Sequence, residues 1–271
     1  MAAGGDLTVG TPIRAGLACS HQSIVTALVD YATTHSGEQL LRVYWYDGAR
    51  DANPTSEHNI IGAIDHVKVR LGRLTQRGQK GVDSRIVRDI MTLARNRAIS
   101  TAYLLSGDDD LREGVADAQE GGVRVVLLGI SPTTTKGRNQ SQGLIREADE
   151  HIILDRDFLA PHLSLRSDLI VVDLDQEFLA ASTQEAALSE VGRLFGQAWV
   201  ERTTPDEIRE MASQPRIPPE LDTDILIAAK LALKKPFPRV LRSRMREAFW
   251  AEVRSAETAL DANPDENGGL L

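Results

Sequence analysis

Short apolar runs alternate with stretches of helical periodicity between His21 and Val172, and no other feature restricts the fold as strongly. His21 to Ser36 places Ile24, Val25, Leu28, Tyr31 and Ala32 at helical spacing behind Ser20 as N-cap. Leu40 to Tyr46 reads as a buried strand closed by Asp47-Gly48. Val67 to Leu71 reads as a second strand, ending at Gly72 before a basic loop from Arg73 to Gly81. Asp83 to Arg97 carries Ile86, Val87, Ile90, Met91 and Ala94 on one helical face. Thr101 to Leu105 is a strand, Leu111 to Glu120 a helix stopped by Gly121-Gly122, and Val123 to Leu128 the most apolar strand of all. His151 to Leu154 and Leu169 to Val172 complete the series. Strands separated by helices require right-handed crossovers, so the expected fold is α/β, a parallel sheet with helices on both faces.

The pattern breaks at Asp175 to Ala187. Beyond it Leu188 to Val200, Pro205 to Ala212, Leu221 to Leu233 and Val240 to Val253 read as short helices, the last three separated by proline-bearing turns. The expected organisation is an α/β domain over residues 1–175, a small helical module over 188–254, winged-helix-like in one version, and a disordered tail over 255–271. Trp199, Phe237, Phe249 and Trp250 suit the core of that module better than a stacking platform.

The formal charge of -8 is unevenly spread. Between Lys68 and Arg97 nine basic residues face only Asp83 and Asp89, and between Lys230 and Arg246 seven basic residues face no acid. Two such stretches on an acidic chain can hold phosphate backbones locally, or they can be solvated helix faces and turns. The single cysteine, Cys19, leaves no partner for an internal disulfide, restricts metal sites to oxygen and nitrogen ligands and fits a reducing cytoplasm. No apolar run approaches the roughly 18 residues that span a bilayer, so a soluble cytoplasmic protein with no membrane partner is expected. The histidines are scattered without metal-ligand spacing, and the G-x-G-x-x-G dinucleotide fingerprint is absent.

Ser106-Gly107-Asp108-Asp109-Asp110 falls where a strand gives way to a helix, the place where open α/β sheets bind ligands. Three consecutive acids repel one another unless a cation or a basic partner compensates, and hard oxygen ligands suit Mg²⁺ or Mn²⁺. The alternative is that they cap the next helix, for which one Asp suffices. Lys80-Gly81-Val82-Asp83 adds a second acid at the mouth of the adjacent unit. Asp89 lies about 240° further round the same helix and ranks behind Asp83.

In order and spacing, Leu41-Arg42-Val43-Tyr44-Trp45-Tyr46-Asp47-Gly48, Lys80-Gly81-Val82-Asp83 with Asp89, Leu105-Ser106-Gly107-Asp108-Asp109-Asp110-Leu111, and Gly122-Val123-Arg124-Val125-Val126 resemble the successive motifs of NYN domains. These are relatives of PIN ribonucleases and flap nucleases, also called the LabA group. The resemblance covers roughly residues 16–155. It implies a PIN-like fold and hydrolysis of RNA with one or two Mg²⁺ (or Mn²⁺) ions. Asp83, Asp108 and Asp110 match the family's catalytic, metal-binding acids, with Asp89 in the second rank. Ser106 and Gly107 match the supporting turn, and Asp47 matches a strand-end acid with a structural role or a place at the edge of the site. Arg70, Arg73, Arg77 and Lys80 would guide RNA phosphates.

Such domains normally open with an apolar strand ending in Asp-Gly or Asp-Ala, whose Asp is a principal metal ligand. Met1-Ala2-Ala3-Gly4-Gly5-Asp6-Leu7 has no such pattern. Either translation starts further upstream, or the domain is truncated and catalytically impaired. The first is favoured, because deleting a central strand exposes apolar core at roughly 25 cal/mol per Å². Three function classes stand against one another: a metal-dependent ribonuclease, a non-catalytic RNA-binding or regulatory protein, and another Mg²⁺-dependent α/β enzyme. The last leaves Lys80 to Asp83 unexplained. The helical module is open to RNA contact, protein contact or homodimerisation.

Overall fold

The computed structural model describes residues 2–51, 53–75, 78–133 and 139–262. The chain divides into two compact units, Cys19–Leu163 and the combination of Met1–Ala18 with Ser164–Leu271. The chain opens with helix α1 (Ala2–Val9) and strand β1 (Leu17–Cys19). The α/β unit continues with α2 (His21–Ser36), β2 (Val43–Arg50), α3 (Ser56–Gly62), β3 (Val67–Thr75), β4 (Gly78–Lys80) and α4 (Val82–Arg95). It ends with β5 (Thr101–Leu105), α5 (Arg112–Glu120), β6 (Arg124–Ile130), α6 (Gln142–Glu147), β7 (Glu150–Leu154) and α7 (Arg156–Leu159).

Among the described residues the strands from β2 to β7 form two ladders, each with parallel pairing as expected of an α/β fold. β2 pairs with β3 in parallel from Val43↔Val67 to Arg50↔Leu74, and β3 turns back antiparallel onto β4. β5, β6 and β7 form a second parallel ladder, with Thr101 opposite Arg124 and Val126 opposite Glu150. Among the described residues β2 and β5 each have a strand partner on one side only. Burial follows from this: β6, flanked on both sides, is buried from Val125 to Ile130, whereas β5 is half-buried along its length and exposed at Leu105. The expected end of a strand at Gly72 and basic loop from Arg73 are corrected, since β3 runs to Thr75 with Gly72 opposite Gly48 in the ladder.

Period-two alternation decides which face of β2 and β3 meets which helix. Val43, Trp45, Val67 and Val69 pack with Val25 and Val29 of α2 and with Ile61 and Ile64 at α3. Tyr44, Tyr46 and Arg70 point the other way, toward α4. On α4, Ile86, Val87 and Ile90 pack against the cluster of Leu111, Val115, Ala118, Val125 and Leu127. Gly114 of α5 is needed for this contact, because a Cβ there would stand 2.6 Å from a Val87 methyl. Ser20 holds the N-cap position of α2 without a side-chain cap bond, so it contributes less than expected there.

β8 (Leu163–Leu165) pairs with β1, and the second unit is otherwise helical: α8 (Gln176–Ala181), α9 (Gln184–Glu201), α10 (Pro205–Ser213), α11 (Pro219–Leu233) and α12 (Arg242–Ala262). Its core is Leu188, Val191, Phe195, Ile225, Met245 and Phe249. Trp199 meets Phe249 edge-on at 5.7 Å, and Phe237 and Trp250 pack on the same cluster. Thr204, Pro205 and Glu207 start α10 with a capping box. Three expectations are corrected here. Leu169 to Val172 is not a strand; a short apolar run carries no period of its own, and here Leu169 is buried, Ile170 and Val172 join the helical core, and Val171 is exposed. Between Arg166 and Ala262 no strand occurs, so the unit lacks the β-hairpin of a winged helix. Residues 255–262 are not a disordered tail but the end of α12, because Ser255-Ala256-Glu257-Thr258-Ala259-Leu260 contains no helix breaker. The remainder of that expected tail lies outside the described residues.

Candidate functional site

Gly81, at φ 82°, is the N-cap of α4 and puts Asp83 into its first turn. An acid there is favoured by the free amides and the positive end of the helix dipole. The chain leaves β5 at Ser106, whose hydroxyl accepts from the Asp108 amide at 3.3 Å. Asp108 in turn accepts from the Asp110 amide at 3.1 Å through Oδ1, and a short 3-10 turn, Asp109–Leu111, leads into α5. A side chain at position 107 would collide with the Asn139 carbonyl, and Gly107 accepts the Ser141 amide at 3.0 Å. Asn139 is held by its side-chain amide, which donates to Ile130 and Ser131 carbonyls at 3.0 and 3.1 Å. The turn is thus fixed against the segment that follows β6.

The three consecutive acids have separate tasks. Asp109 accepts from the Ser141 hydroxyl at 2.6 Å, and Ser141 also caps α6 by accepting from the Leu144 amide at 2.9 Å. Asp108 uses one oxygen as a cap. Asp110 lines an open cavity of about 510 Å³ between α4 and α5, and Asp83 lines the same cavity. Arg88, Arg95 and Glu113 border it as well. The structure therefore brings Asp83 and Asp110 to one place and leaves Asp108 outside the lining. Among the described residues no three His, Cys, Asp or Glu side chains are grouped closely enough to hold a metal ion, so the expected trio of Asp83, Asp108 and Asp110 is not gathered.

Asp89 sits on another side of α4. Its Oδ2 accepts from the Tyr46 hydroxyl at 3.0 Å and lies 3.4 Å from Arg70 Nε, an ion pair without hydrogen-bond alignment. Burial, and then donation to Asp89, push the Tyr46 hydroxyl far above its ordinary pKa, so it remains a donor. Arg70 also stacks over Tyr44, 5.0 Å from the ring centre. Of the other residues expected to guide RNA, Arg77 lies outside the described residues, as do the side chains of Arg73 and Lys80. Asp47 is buried, accepts from the Gly48 amide at 2.7 Å and faces His58 Nε2 at 3.4 Å. His58 Nδ1 accepts from the Thr55 amide at 3.0 Å, which leaves the proton on Nε2, directed to Asp47. Asp47 is a structural group that ties β2 to α3.

Sequence reasoning missed Arg88, Arg95 and Glu113. The signal was present for the arginines: Ser84, Arg88, Met91 and Arg95 recur at the three- and four-residue spacing of one helical stripe. Glu113, one turn beyond Asp110, carried no signal separable from helix-start chemistry.

A family model described as NYN domain matches residues 13–155. The chain is 38% identical over 208 residues to an uncharacterized protein, y4oD, of Sinorhizobium fredii, covering 71% of this chain and 96% of that one. No solved structure matches. No helix among the described residues is long and apolar enough to cross a membrane.

Proposed function

Because the chain belongs to the NYN domain family, whose fold is that of PIN-like nucleases, we propose that it is a divalent-metal-dependent endoribonuclease. The observation that carries this reading is the convergence of Asp83 and Asp110, from separate elements, on one open polar cavity. The donor set fits a hydrated Mg²⁺ or Mn²⁺, which is commonly held by one or two carboxylates completed by waters and substrate phosphate. Asp83 and Asp110 would hold the ion, with Asp108 two residues before Asp110 supporting the turn. When bound, the ion supplies positive charge at the phosphate and an acidified water. Asp83 stands in the first turn of α4, Ser106 and Gly107 fix the backbone that presents Asp110, and Asp109 is committed to Ser141.

The full chain should cleave single-stranded RNA when Mg²⁺ is added and stop when EDTA is added. Asp110→Asn should remove most of the cleavage without changing the circular dichroism spectrum. A second reading, a regulatory RNA-binding protein without catalysis, is favoured by the absence of a gathered acid trio among the described residues. RNA binding with no cleavage in Mg²⁺ or Mn²⁺ would establish that reading and remove the first.

A further inference from the structure

We propose that the cavity between α4 and α5 is the track of a single RNA strand, with Arg88 and Arg95 binding its phosphates beside Asp83 and Asp110. The identity of the strand rests on the ribonuclease reading; the track rests on the arrangement of α4. Asp83 lies in the first turn of α4 and Arg95 in the last, so the lining runs for about 18 Å along the helix. Arg88 and Arg95 are seven positions apart on one stripe, about 10 Å along the axis. Both are exposed, and among the described residues neither is engaged in an ion pair. The helix dipole accounts for a cation at Arg95 but not for one at Arg88, in the middle of the helix.

The chemistry of the lining selects the ligand. Ser84, Thr92, Val87 and Met91 complete the α4 side of the lining, and no aromatic ring takes part. Such a surface can bind phosphates and the edge of a ribose but offers no platform for stacking a base, so it reads backbone and not sequence. α4 and α5 pack closely where Val87 lies against Gly114, so the lining is a stripe along α4 bordered by the start of α5. Asp83 stands at one end of the stripe, Arg88 in its middle and Arg95 at the other end. Phosphates held by Arg88 and Arg95 carry the next phosphate to Asp83 and Asp110.

The test is fluorescence anisotropy of a short labelled single-stranded RNA with the full chain, in EDTA, over a range of salt concentrations. Arg88→Gln/Arg95→Gln should weaken binding about tenfold and reduce the slope of log affinity against log salt by about 1.4, at roughly 0.7 per phosphate contact on a single strand. Arg88→Lys/Arg95→Lys should keep most of that slope, which separates lost charge from lost folding. Lys234→Gln/Lys235→Gln, in the helical unit, should change neither quantity. An unchanged slope in the arginine pair, or a loss confined to the lysine pair, overturns the proposal. Because binding is read without metal, the expected slope change in a chain that cuts no RNA in Mg²⁺ supports the track and removes the ribonuclease reading. Cleavage with an unchanged slope does the reverse.

Discussion

Two basic stretches look alike in sequence and differ in structure. In Lys230 to Arg246, Arg246 is gripped by both oxygens of Asp222 at 2.6 and 2.8 Å, and Arg244 is shared between Glu185 and Glu247 at 2.6 and 3.1 Å. These acids come from other turns of the helical unit, outside the stretch where its charge was counted. In Lys68 to Arg97, Arg70 is committed to Asp89 and Tyr44, whereas Arg88 and Arg95 border a cavity with Asp83 and Asp110. Local charge density therefore does not identify a phosphate site. What separates Arg244 and Arg246 from Arg88 and Arg95 is that the fold supplies the first two with carboxylates.

The largest effect that would test this contrast is on chemistry. Asp83→Asn should lower the rate of RNA cleavage by roughly 100-fold, on the order of 3 kcal/mol in the barrier, while Arg244→Gln/Arg246→Gln leaves the rate within about twofold. Equal losses in both variants would place the helical unit in the active site and break the comparison. A smaller effect separates the two acids of α4. Asp89→Ala leaves the half-buried Tyr46 hydroxyl and Arg70 without their shared acceptor, so urea unfolding should show a loss of about 1–2 kcal/mol. Cleavage per folded molecule should be retained; if it falls as far as in Asp83→Asn, Asp89 is a member of the site.

The fold was legible where period and punctuation agreed. α2, α4, α5, β5 and β6 stand close to where apolar spacing puts them, and Gly81 and Gly107 mark the turns that present Asp83 and Asp110. Less could be read where a residue's partner is distant in sequence. Leu169 to Val172 has the composition of a strand, yet Ile170 and Val172 pack into a helical core and Val171 is exposed, because four apolar residues cannot specify which neighbours they will meet. The acids of the Ser106 to Asp110 turn read as one cluster, yet Asp109 faces Ser141, Asp108 caps the turn and Asp110 turns to α4. In a tight turn successive side chains point in different directions, so adjacency in sequence does not make a shared ligand set. Arg88 and Arg95, seven residues apart, share a lining more closely than those neighbours do.

The smallest expected effect bears on the helical unit. Asp222→Asn removes the charge that neutralises Arg246 while keeping an acceptor of the same shape on α11. The pair is partly exposed, with 44% and 33% of the two side chains accessible, so screening limits its contribution to about 0.5 kcal/mol. Thermal melting should fall by no more than a few degrees. The freed guanidinium adds one accessible positive charge to a unit in which Lys234, Lys235 and Arg239 are already exposed. If pairing is what keeps this stretch from binding phosphate, RNA affinity at low salt should rise about twofold and the salt slope should steepen by roughly 0.7, one phosphate contact on a single strand. Raising the salt should erase the gain, because an exposed charge acts only within a Debye length of about 10 Å at 0.1 M. An unchanged slope would mean that the geometry of this surface, and not the pairing of its arginines, keeps RNA away. The contrast between the two stretches would then rest on the shape of the α4–α5 cavity alone.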